Sequence, residues 1–175
     1  MKIAFTGASG FIAKSFQQKF KSEDNQFFFL KRNDSISTWA DIIYKCDVVI
    51  NLGGAPVIQR WNKKNRKNIL ESRIDTTKKL VAILNGMNDE NGNKLLISAS
   101  AIGLYPSNGE HVNTEYNYSF GNDFLTEVVM NWENEAQQLS NPSVRLVIPR
   151  IGIVLGKKGG MMAKLLPLFK KGLGG

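Results

Sequence analysis

The chain alternates between short continuous apolar runs and longer segments in which apolar residues recur at helical spacing. The apolar runs have the length of buried strands and lie at 2–6, 26–32, 47–52, 94–100 and 144–155. The helical segments lie between and after them, at 11–20, 38–45, 62–84, 122–139 and 161–171. Strands that alternate with helices predict βαβ units and a parallel sheet. Right-handed crossovers then favour an α/β fold with a Rossmann-type, doubly wound sheet.

Two places in this pattern are harder to interpret. Between residues 32 and 47 the sequence indicates only a strand stub, at 36–38. Pro149 interrupts the last apolar run, and Pro167 is expected to break the last helix because proline removes a helical hydrogen bond. No linker rich in Pro, Ser or Gly divides the chain, so residues 1–175 are predicted to form one domain.

The turn after the first predicted strand, 7–13, reads GASGFIA and fits the pattern G-x-x-G-x-x-A. Gly7 permits a tight turn, and Gly10, which has no Cβ, lets the backbone approach a pyrophosphate. The amide groups at the start of the following helix then face that anion. Ala13 is small enough for the helix to pack closely on the strand. In this context the pattern predicts a dinucleotide-binding turn.

The end of the second predicted strand bears on which dinucleotide is bound. An acidic residue at this point would hydrogen-bond the ribose of NAD, but the sequence places Arg32 there. A guanidinium pairs well with the 2′-phosphate of NADP, so NADP(H) is the predicted cofactor. The alternative is NAD(H), with Arg32 as a solvated strand end and Asp34 in contact with the ribose.

Composition and charge narrow the function classes. Hydrophobic residues make up 42% and charged residues 22%, which is typical of a globular protein. The net charge of +8 is compatible with nucleic-acid binding. However, the densest basic cluster, 60–67, is interpreted as a solvated helix face. Neither a signal peptide nor an apolar run of the ~18 residues that span a membrane is recognised. We therefore expect a cytoplasmic location and neither a membrane nor a nucleic acid as a partner. Cys46, the single cysteine, is expected to be buried and reduced.

Several segments in succession also resemble one known family. They are TGASGFIA, INLGGAPV, ESRIDTTKKLV, SASAIGLYP, FLTEVVMNWENEA and the stretch from PRIGIVLG onward. The chain is similar over its whole length to the atypical short-chain dehydrogenase/reductases known as NAD-dependent nucleotide-sugar epimerases, a group sometimes labelled cell-division inhibitors. The resemblance implies a Rossmann fold with bound NADP(H). It also implies an oxidoreductase or epimerase with an unidentified substrate, a nucleotide sugar among the candidates.

The resemblance further implies which residues contact the cofactor. It implies that the pyrophosphate is contacted by Gly7, Ser9, Gly10, Phe11 and Ile12. Arg32 is implied at the 2′-phosphate. The residues implied to contact the ribose and the nicotinamide are Leu52, Gly53, Gly54, Ser98, Pro149, Arg150 and Ile151. Ser98 is placed, together with Ser100, at the end of a fifth core strand.

The chain departs from the wider superfamily in its catalytic residues. The usual Tyr-x-x-x-Lys pair is absent, and the helix at 122–139 has no lysine or arginine. The candidates that replace it are Ser100, which can donate a hydrogen bond to a substrate oxygen, and Tyr105, which can act as the acid. With no cation recognised beside it, Tyr105 is equally interpreted as a loop-packing aromatic residue.

The other titratable candidates are interpreted as structural. Glu127 and Glu133 are predicted to be solvated on their helix, and His111 is predicted to be exposed in a polar loop. The sequence has no cluster with metal-ligand spacing, so we expect no metal.

The resemblance has three further implications. The family is longer, so the chain is interpreted as an N-terminal, cofactor-binding portion that lacks the substrate-binding lobe. Related folds dimerise through their two long helices, which implies a homodimer through 62–84 and 122–139. The absent Tyr-Lys pair leaves open a non-catalytic NADP(H)-binding sensor or interaction module.

Overall fold

The fold is described from a computed structural model, for residues 1–88, 93–106, 112–114, 119–156 and 159–173. His111 lies outside these residues. The strands are β1 Lys2–Thr6, β2 Gln26–Leu30, β3 Val48–Asn51, β4 Lys94–Ser98, β5 Ser100–Ala101, β6 Val144–Val147, β7 Arg150–Ile151, β8 Leu155–Gly156 and β9 Gly159–Gly160. The helices are α1 Phe11–Lys19, α2 Ile36–Ile43, α3 Lys63–Asn85, α4 Phe124–Ala136 and α5 Met162–Lys170, with a short 3₁₀ turn at Ile102–Leu104.

The centre of the molecule is a five-stranded sheet in the order β2-β1-β3-β4-β6, and every pairing in it is parallel. β5 and β7 continue β4 and β6 as a separate parallel pair, and β8 pairs antiparallel with β9. The strand order reverses beside β1, which is where such sheets bind ligands. The predicted Rossmann-type parallel sheet is therefore confirmed.

Helices cover both faces of the sheet. On one face, Ala4, Val49 and Leu96 of the strands pack against α2 and α3, which contribute Trp39 and Leu80. On the other face the packing involves α1, and the main contributors are Ile3, Phe5, Ala13, Phe16, Phe27 and Ile50. The rings of Phe5 and Phe16 lie edge to face with centroids 5.6 Å apart. Strands buried on both faces explain the continuous apolar runs of the sequence.

Two predicted elements are wrong. The strand stub expected at 36–38 is the first turn of α2, because the hydroxyl of Ser35 accepts a hydrogen bond from the amide of Thr38 and caps the helix. Pro167 does not break the last helix, since α5 continues through it to Lys170. Without the stub, Ser98 ends the fourth strand of the sheet rather than the fifth.

The amino ends of the strands bury two reactive groups. Lys94 donates through Nζ to the carbonyls of Cys46, at 2.7 Å, and Tyr44, at 3.0 Å. Burial lowers the pKa of Lys94 and raises the pKa of the Cys46 thiol to about 11. The prediction of a buried Cys46 is confirmed. These groups lie at the end of the sheet opposite the glycine turn, so they support the core rather than a ligand site.

Candidate functional site

The glycine turn between β1 and α1 has the geometry that a close approach requires. Gly7 has a φ of +64°, and a Cβ added there would lie 2.5 Å from the carbonyl oxygen of Leu52. A side chain is therefore excluded at Gly7 both by the backbone angle and by space. Gly10 caps α1, and its amide donates to the carbonyl of Gly7 at 2.9 Å. The first turn of α1 contains no acidic residue, so its positive end is uncompensated.

A groove of about 730 Å³ runs from this turn to the end of β2. Its charged residues are Lys14, Lys31 and Arg32, and no acidic residue is among those that line it. Of the residues predicted to bind the cofactor, the groove is lined by Gly7, Ser9, Arg32, Gly53 and Gly54. A basic groove that ends on a helix N-terminus is suited to a ligand with several phosphate oxygens.

Asp34, the candidate for an NAD ribose contact, is used in another way. Its carboxylate accepts a hydrogen bond from the amide of Lys31 at 3.2 Å, which closes the turn after β2. Nζ of Lys79 donates to the main-chain carbonyl of Asp34 at 2.6 Å and lies 4.1 Å from the ring centroid of Trp39. Asp34 is not among the residues that line the groove, whereas Arg32 is.

A second cavity of about 280 Å³ lies on the other side of Gly7, at the carboxyl ends of β4 and β6. The predicted residues that line it are Gly7, Gly10, Ile12, Leu52, Ser100 and Ile151. Arg73 of α3 and Trp132 of α4 also line it, and neither was singled out from the sequence. The groove and the cavity together form a path over the glycine turn, with Arg32 at one end and Ser100 at the other.

Phe11 and Ser98, although predicted to contact the cofactor, do not line either space. The ring of Phe11 packs under the β8–β9 pair, so closely that a Cβ at Gly156 or Gly159 would lie 2.3 or 2.0 Å from it. Ser98 is 1% exposed, and its hydroxyl accepts a hydrogen bond from Asn51 Nδ2 at 3.1 Å.

Asn51 is the centre of a buried polar network, which we call the Asn51 network. Its Nδ2 also donates to Thr77 Oγ1 at 2.9 Å, and its Oδ1 accepts from Thr6 Oγ1 at 2.7 Å. Thr6 Oγ1 in turn accepts from the amides of Leu52 and Gly53 at 3.1 and 2.9 Å. The network therefore ties three strands to the loop that forms the floor of the groove.

A second network, which we call the Glu133 network, includes Ser100, which is two residues after Ser98 in the chain. Ser100 Oγ donates to Glu133 Oε1. Arg150 donates to the same carboxylate from Nε and from Nη2, each at 2.9 Å, and its Nη1 donates to the hydroxyl of Tyr105 at 2.9 Å. The structure thus brings together the two predicted catalytic residues, through an arginine and a glutamate. Arg150 and Pro149 themselves line neither space.

Glu133 is not solvated, and that prediction is wrong. The residue is 7% exposed, whereas Glu127, on the same helix, is exposed as predicted. Burial favours the neutral acid, but the hydrogen bonds from Arg150 and Ser100 and the charge of Arg150 outweigh it and lower the pKa of Glu133. The sequence held a signal, because Glu133 lies one helical turn from Val129 and from Ala136 on the apolar face of α4.

This arrangement corrects two predictions about the catalytic candidates. An ionised carboxylate only accepts hydrogen bonds, so the hydroxyl hydrogen of Ser100 points to Glu133 and is not available for a substrate oxygen. Towards the cavity Ser100 presents only lone pairs. Tyr105, in contrast, does have a cation beside it, since Arg150 donates directly to its hydroxyl.

The comparisons with known proteins identify homologues of the chain. The chain is 33% identical, over its full length, to the chloroplastic SDR39U1 homolog of Arabidopsis thaliana, an epimerase family protein. It is 30% identical, over 95% of its length, to the epimerase family protein YfhF of Bacillus subtilis. The chain is homologous to the epimerase family proteins. No protein-family model matches it.

A solved relative supports the fold directly. The crystal structure of human epimerase family protein SDR39U1 with NADPH superposes with a TM-score of 0.83, at 28% identity and over the whole chain. The chain spans 55% of the Arabidopsis protein, 59% of YfhF and 61% of the human structure. The resemblance drawn from the sequence motifs is therefore confirmed. Among the helices described, none has both the length and the apolar character needed to cross a membrane.

Proposed function

We propose that residues 1–175 form the NADP(H)-binding Rossmann domain of an oxidoreductase or epimerase-like enzyme of the short-chain dehydrogenase/reductase superfamily. The observation that carries the proposal is the basic groove that joins the positive end of α1 to Arg32. The human relative crystallised with NADPH supports the same choice of cofactor. A nucleotide sugar is the candidate substrate that the family name suggests.

The path over the glycine turn fits an extended dinucleotide. Gly7 and Gly10 leave room for a pyrophosphate against the start of α1, with Ser9 and Ile12 beside it. Arg32, with Lys31 next to it, is assigned to the 2′-phosphate. Leu52, Gly53 and Gly54 would pass beside the ribose, and Ile151 and Ser100 would border the nicotinamide. When bound, the cofactor would supply a hydride as NADPH, or accept one as NADP⁺, at the Ser100 end of the path.

Tyr105 and Ser100 are the proposed catalytic residues. Arg150 donates a hydrogen bond to the hydroxyl of Tyr105, and this contact is proposed to stand in for the lysine of the usual Tyr-x-x-x-Lys pair. Ser100, held by Glu133, would accept a hydrogen bond from a substrate hydroxyl or from the carboxamide. Glu133 positions both groups at once through Ser100 and Arg150.

Titration with NADPH, followed by nicotinamide fluorescence, tests the proposal. We expect Arg32→Ala to weaken NADPH binding by about 30-fold, the loss of roughly 2 kcal/mol from a charge-assisted contact, and NADH binding by less than about threefold. Arg145→Ala is the matched control, because Arg145 is exposed on β6, at the opposite edge of the sheet from β2. Equal loss of both cofactors, or no NADPH binding below about millimolar by the unmodified protein, would reject the assignment.

A non-catalytic NADP(H)-binding sensor is the second candidate. It is favoured by α4, where Phe124 and Val128, near the positions of the usual tyrosine and lysine, are buried in an apolar cluster with Ile69. The two functions differ in turnover. A sensor binds NADPH without oxidising it across a panel of carbonyl compounds and nucleotide sugars, whereas turnover that is lost in Tyr105→Phe identifies the enzyme.

A further inference from the structure

The sheet has two edge strands, β2 and β6, and the two edges differ in what protects them. Among the described residues, β2 pairs with β1 alone and β6 pairs with β4 alone. β6 carries the exposed cation Arg145, and a charge on an edge strand disfavours pairing with a further strand. β2 reads QFFFL, without a charge or a proline, and its register with β1 is continuous. β2 is therefore an edge without the features that usually protect one.

The main-chain groups of Phe27 and Phe29 point away from the sheet. The amide of Gln26 donates to the carbonyl of Met1 at 2.9 Å, which directs the main chain of Gln26 towards β1. In a parallel ladder alternate residues of a strand bond to the same neighbour, so Phe28 also bonds to β1. The N–H and C=O groups of Phe27 and Phe29 therefore lie along the open edge, where another strand can bond to them.

The side chains of β2 leave apolar surface at the same edge. Phe29 is 43% exposed, whereas Phe5, its register partner in β1, is 0% exposed. Phe27 and Phe28 are half-buried on opposite faces of the sheet. The ring of Phe27 lies edge to face with that of Phe5, with centroids 5.9 Å apart, and Phe28 packs against the core on the α2 side. Three consecutive aromatic residues thus border the open edge on both faces.

β2 is complementary to a second copy of itself in the antiparallel orientation. With a two-fold axis through Phe28, Phe27 of each copy is opposite Phe29 of the other, and these two pairs exchange four hydrogen bonds. All the outward main-chain groups of Phe27 and Phe29 are then used. The same register places the ring of Phe27 opposite that of Phe29, and Phe28 opposite its own copy. Cross-strand aromatic pairs of this kind stabilise a sheet.

The charges at the two ends of β2 favour the antiparallel orientation over the parallel one. The segment before the strand, 21–25, has two acidic residues and one basic residue, whereas the segment after it, 31–34, has two basic and one acidic. The charges nearest the strand are Asp24 before it and Lys31 after it, and both residues are exposed. An antiparallel second copy brings the acidic end of one strand to the basic end of the other, and a parallel one would bring like ends together.

We propose that β2 binds β2 of a second copy of this chain, antiparallel and about a two-fold axis at Phe28, so that the two sheets join into one. A pairing through one short strand makes a small interface, so we expect a reversible dimer with a dissociation constant of roughly 10–100 µM. This surface is separate from the helices α3 and α4, at which the family resemblance implies a dimer. The pairing does not depend on the proposed cofactor or on catalysis.

Sedimentation equilibrium at protein concentrations up to about 500 µM, well above the expected dissociation constant, tests the pairing. Phe29→Pro removes an outward amide from each copy and leaves the bonds to β1 intact, because an edge strand tolerates proline where its amide faces solvent. We expect this variant to raise the dissociation constant of the dimer at least about 30-fold. Phe29→Leu is the matched control, since it keeps the amide and an apolar side chain, and should raise it less than about fivefold.

A disulfide tests the register. Phe28 would lie opposite its own copy in a non-hydrogen-bonded pair, with Cα atoms about 4.5 Å apart, which is within the range that a disulfide spans. Phe28→Cys should therefore form a covalent dimer when the protein is incubated with oxidised glutathione. Met130→Cys, on the exposed side of α4, probes the alternative dimer through the helices and should stay a monomer on a denaturing gel. Cys46 is buried and contributes little background.

Three results would overturn the proposal. They are a monomer at every concentration, a dimer whose dissociation constant is unchanged in Phe29→Pro, and cross-linking of Met130→Cys without cross-linking of Phe28→Cys. The mass of the unmodified protein needs no variant. Where Phe29→Pro does not fold, Phe29→Lys, which places a charge on the edge and keeps every amide, should raise the dissociation constant at least about tenfold. A monomer that binds NADPH rejects the pairing alone, and a dimer that does not bind NADPH rejects the proposed function alone.

Discussion

Ser98, at the end of β4, and Ser100, at the start of β5, are two residues apart, yet they belong to polar networks of different kinds. Ser98 lies in the Asn51 network, which is enclosed between the sheet and α3 and in which every described donor finds a partner. Ser100 lies in the Glu133 network, which contains an ion pair and borders a cavity. The break after Ser98 and the new pairing of Ser100 with Arg150 separate the two. A hydroxyl at a strand end is therefore enclosed in the core or placed beside a cavity according to what surrounds it, not according to its position alone.

Asn51→Ala tests the enclosed network and should have the largest effect. Asn51 is 0% exposed, and its side chain makes hydrogen bonds with Thr6, Thr77 and Ser98, so its removal breaks three buried hydrogen bonds. We expect the free energy of unfolding to fall by about 3 kcal/mol. Urea denaturation measures it. Asn25→Ala, which removes one exposed hydrogen bond, should lower it by less than about 1 kcal/mol. A loss below about 1 kcal/mol in Asn51→Ala would show that the network is not structural.

Glu133→Gln tests the charged network. It removes the negative charge that Arg150 contacts with two hydrogen bonds. We expect a loss of about 2 kcal/mol in the free energy of unfolding at neutral pH, measured with urea. Glu127→Gln, an exposed position on the same helix, should change it by less than about 1 kcal/mol.

The pH dependence of this loss follows from the lowered pKa of Glu133. The folded protein holds the carboxylate in its charged form more strongly than the unfolded chain does. The stabilisation is complete above the ordinary glutamate pKa of about 4.3 and is lost as the pH falls through the lower pKa of the folded state. Wild type and Glu133→Gln should therefore converge in acid. A difference that stays constant from neutral pH down to acid would contradict a charged Glu133.

Replacing the two serines separately compares the networks at their nearest point. Ser98→Ala should lower the free energy of unfolding by about 1 kcal/mol, because Asn51 loses an acceptor, and leave NADPH affinity within about twofold. Ser100→Ala should change stability by less than about 0.5 kcal/mol, since Glu133 keeps its bonds from Arg150, and weaken NADPH binding by about fivefold. Urea denaturation and nicotinamide fluorescence measure the two effects, and the opposite pattern would exchange the assigned roles.

Tyr105→Phe should have the smallest effect on stability. It removes the acceptor for Nη1 of Arg150, but Arg150 is only half-buried and keeps both bonds to Glu133. We expect a change of less than about 0.5 kcal/mol in the free energy of unfolding, from thermal or urea unfolding. A loss above about 1.5 kcal/mol would make Tyr105 a structural member of the network rather than a candidate acid.

Local signals in the sequence were sufficient for most of the fold and for one end of the site. The alternation of apolar runs and helical segments predicted the parallel sheet, because strands covered on both faces must be continuously apolar. The glycine pattern predicted the turn, and Gly7 has the positive φ and close contact that no other residue tolerates. The strand predicted at 36–38 is wrong because the hydroxyl of Ser35 caps the start of a helix there.

The other end of the site depends on residues far apart in the sequence. Ser100 and Glu133 are 33 positions apart, and Tyr105 and Arg150 are 45 apart. Neither pairing follows from spacing, because no helix or strand periodicity relates residues so far apart in the chain. A charge on the apolar face of α4 was the available hint, but its partner could not be named without the fold.

By itself, the sequence determined the βαβ alternation, the dinucleotide-type turn at Gly7 and Gly10 and the basic residue at the end of β2. These features are encoded by neighbouring residues, whose conformations are set by local sterics and by the burial of one strand or one helix at a time. Only the tertiary structure decided that Ser98 is enclosed, that Ser100 donates to Glu133 and that Arg73 lines a cavity. Burial and ion pairing depend on which distant side chains the packed sheet and helices bring within about 3 Å of each other, the distance over which a hydrogen bond forms.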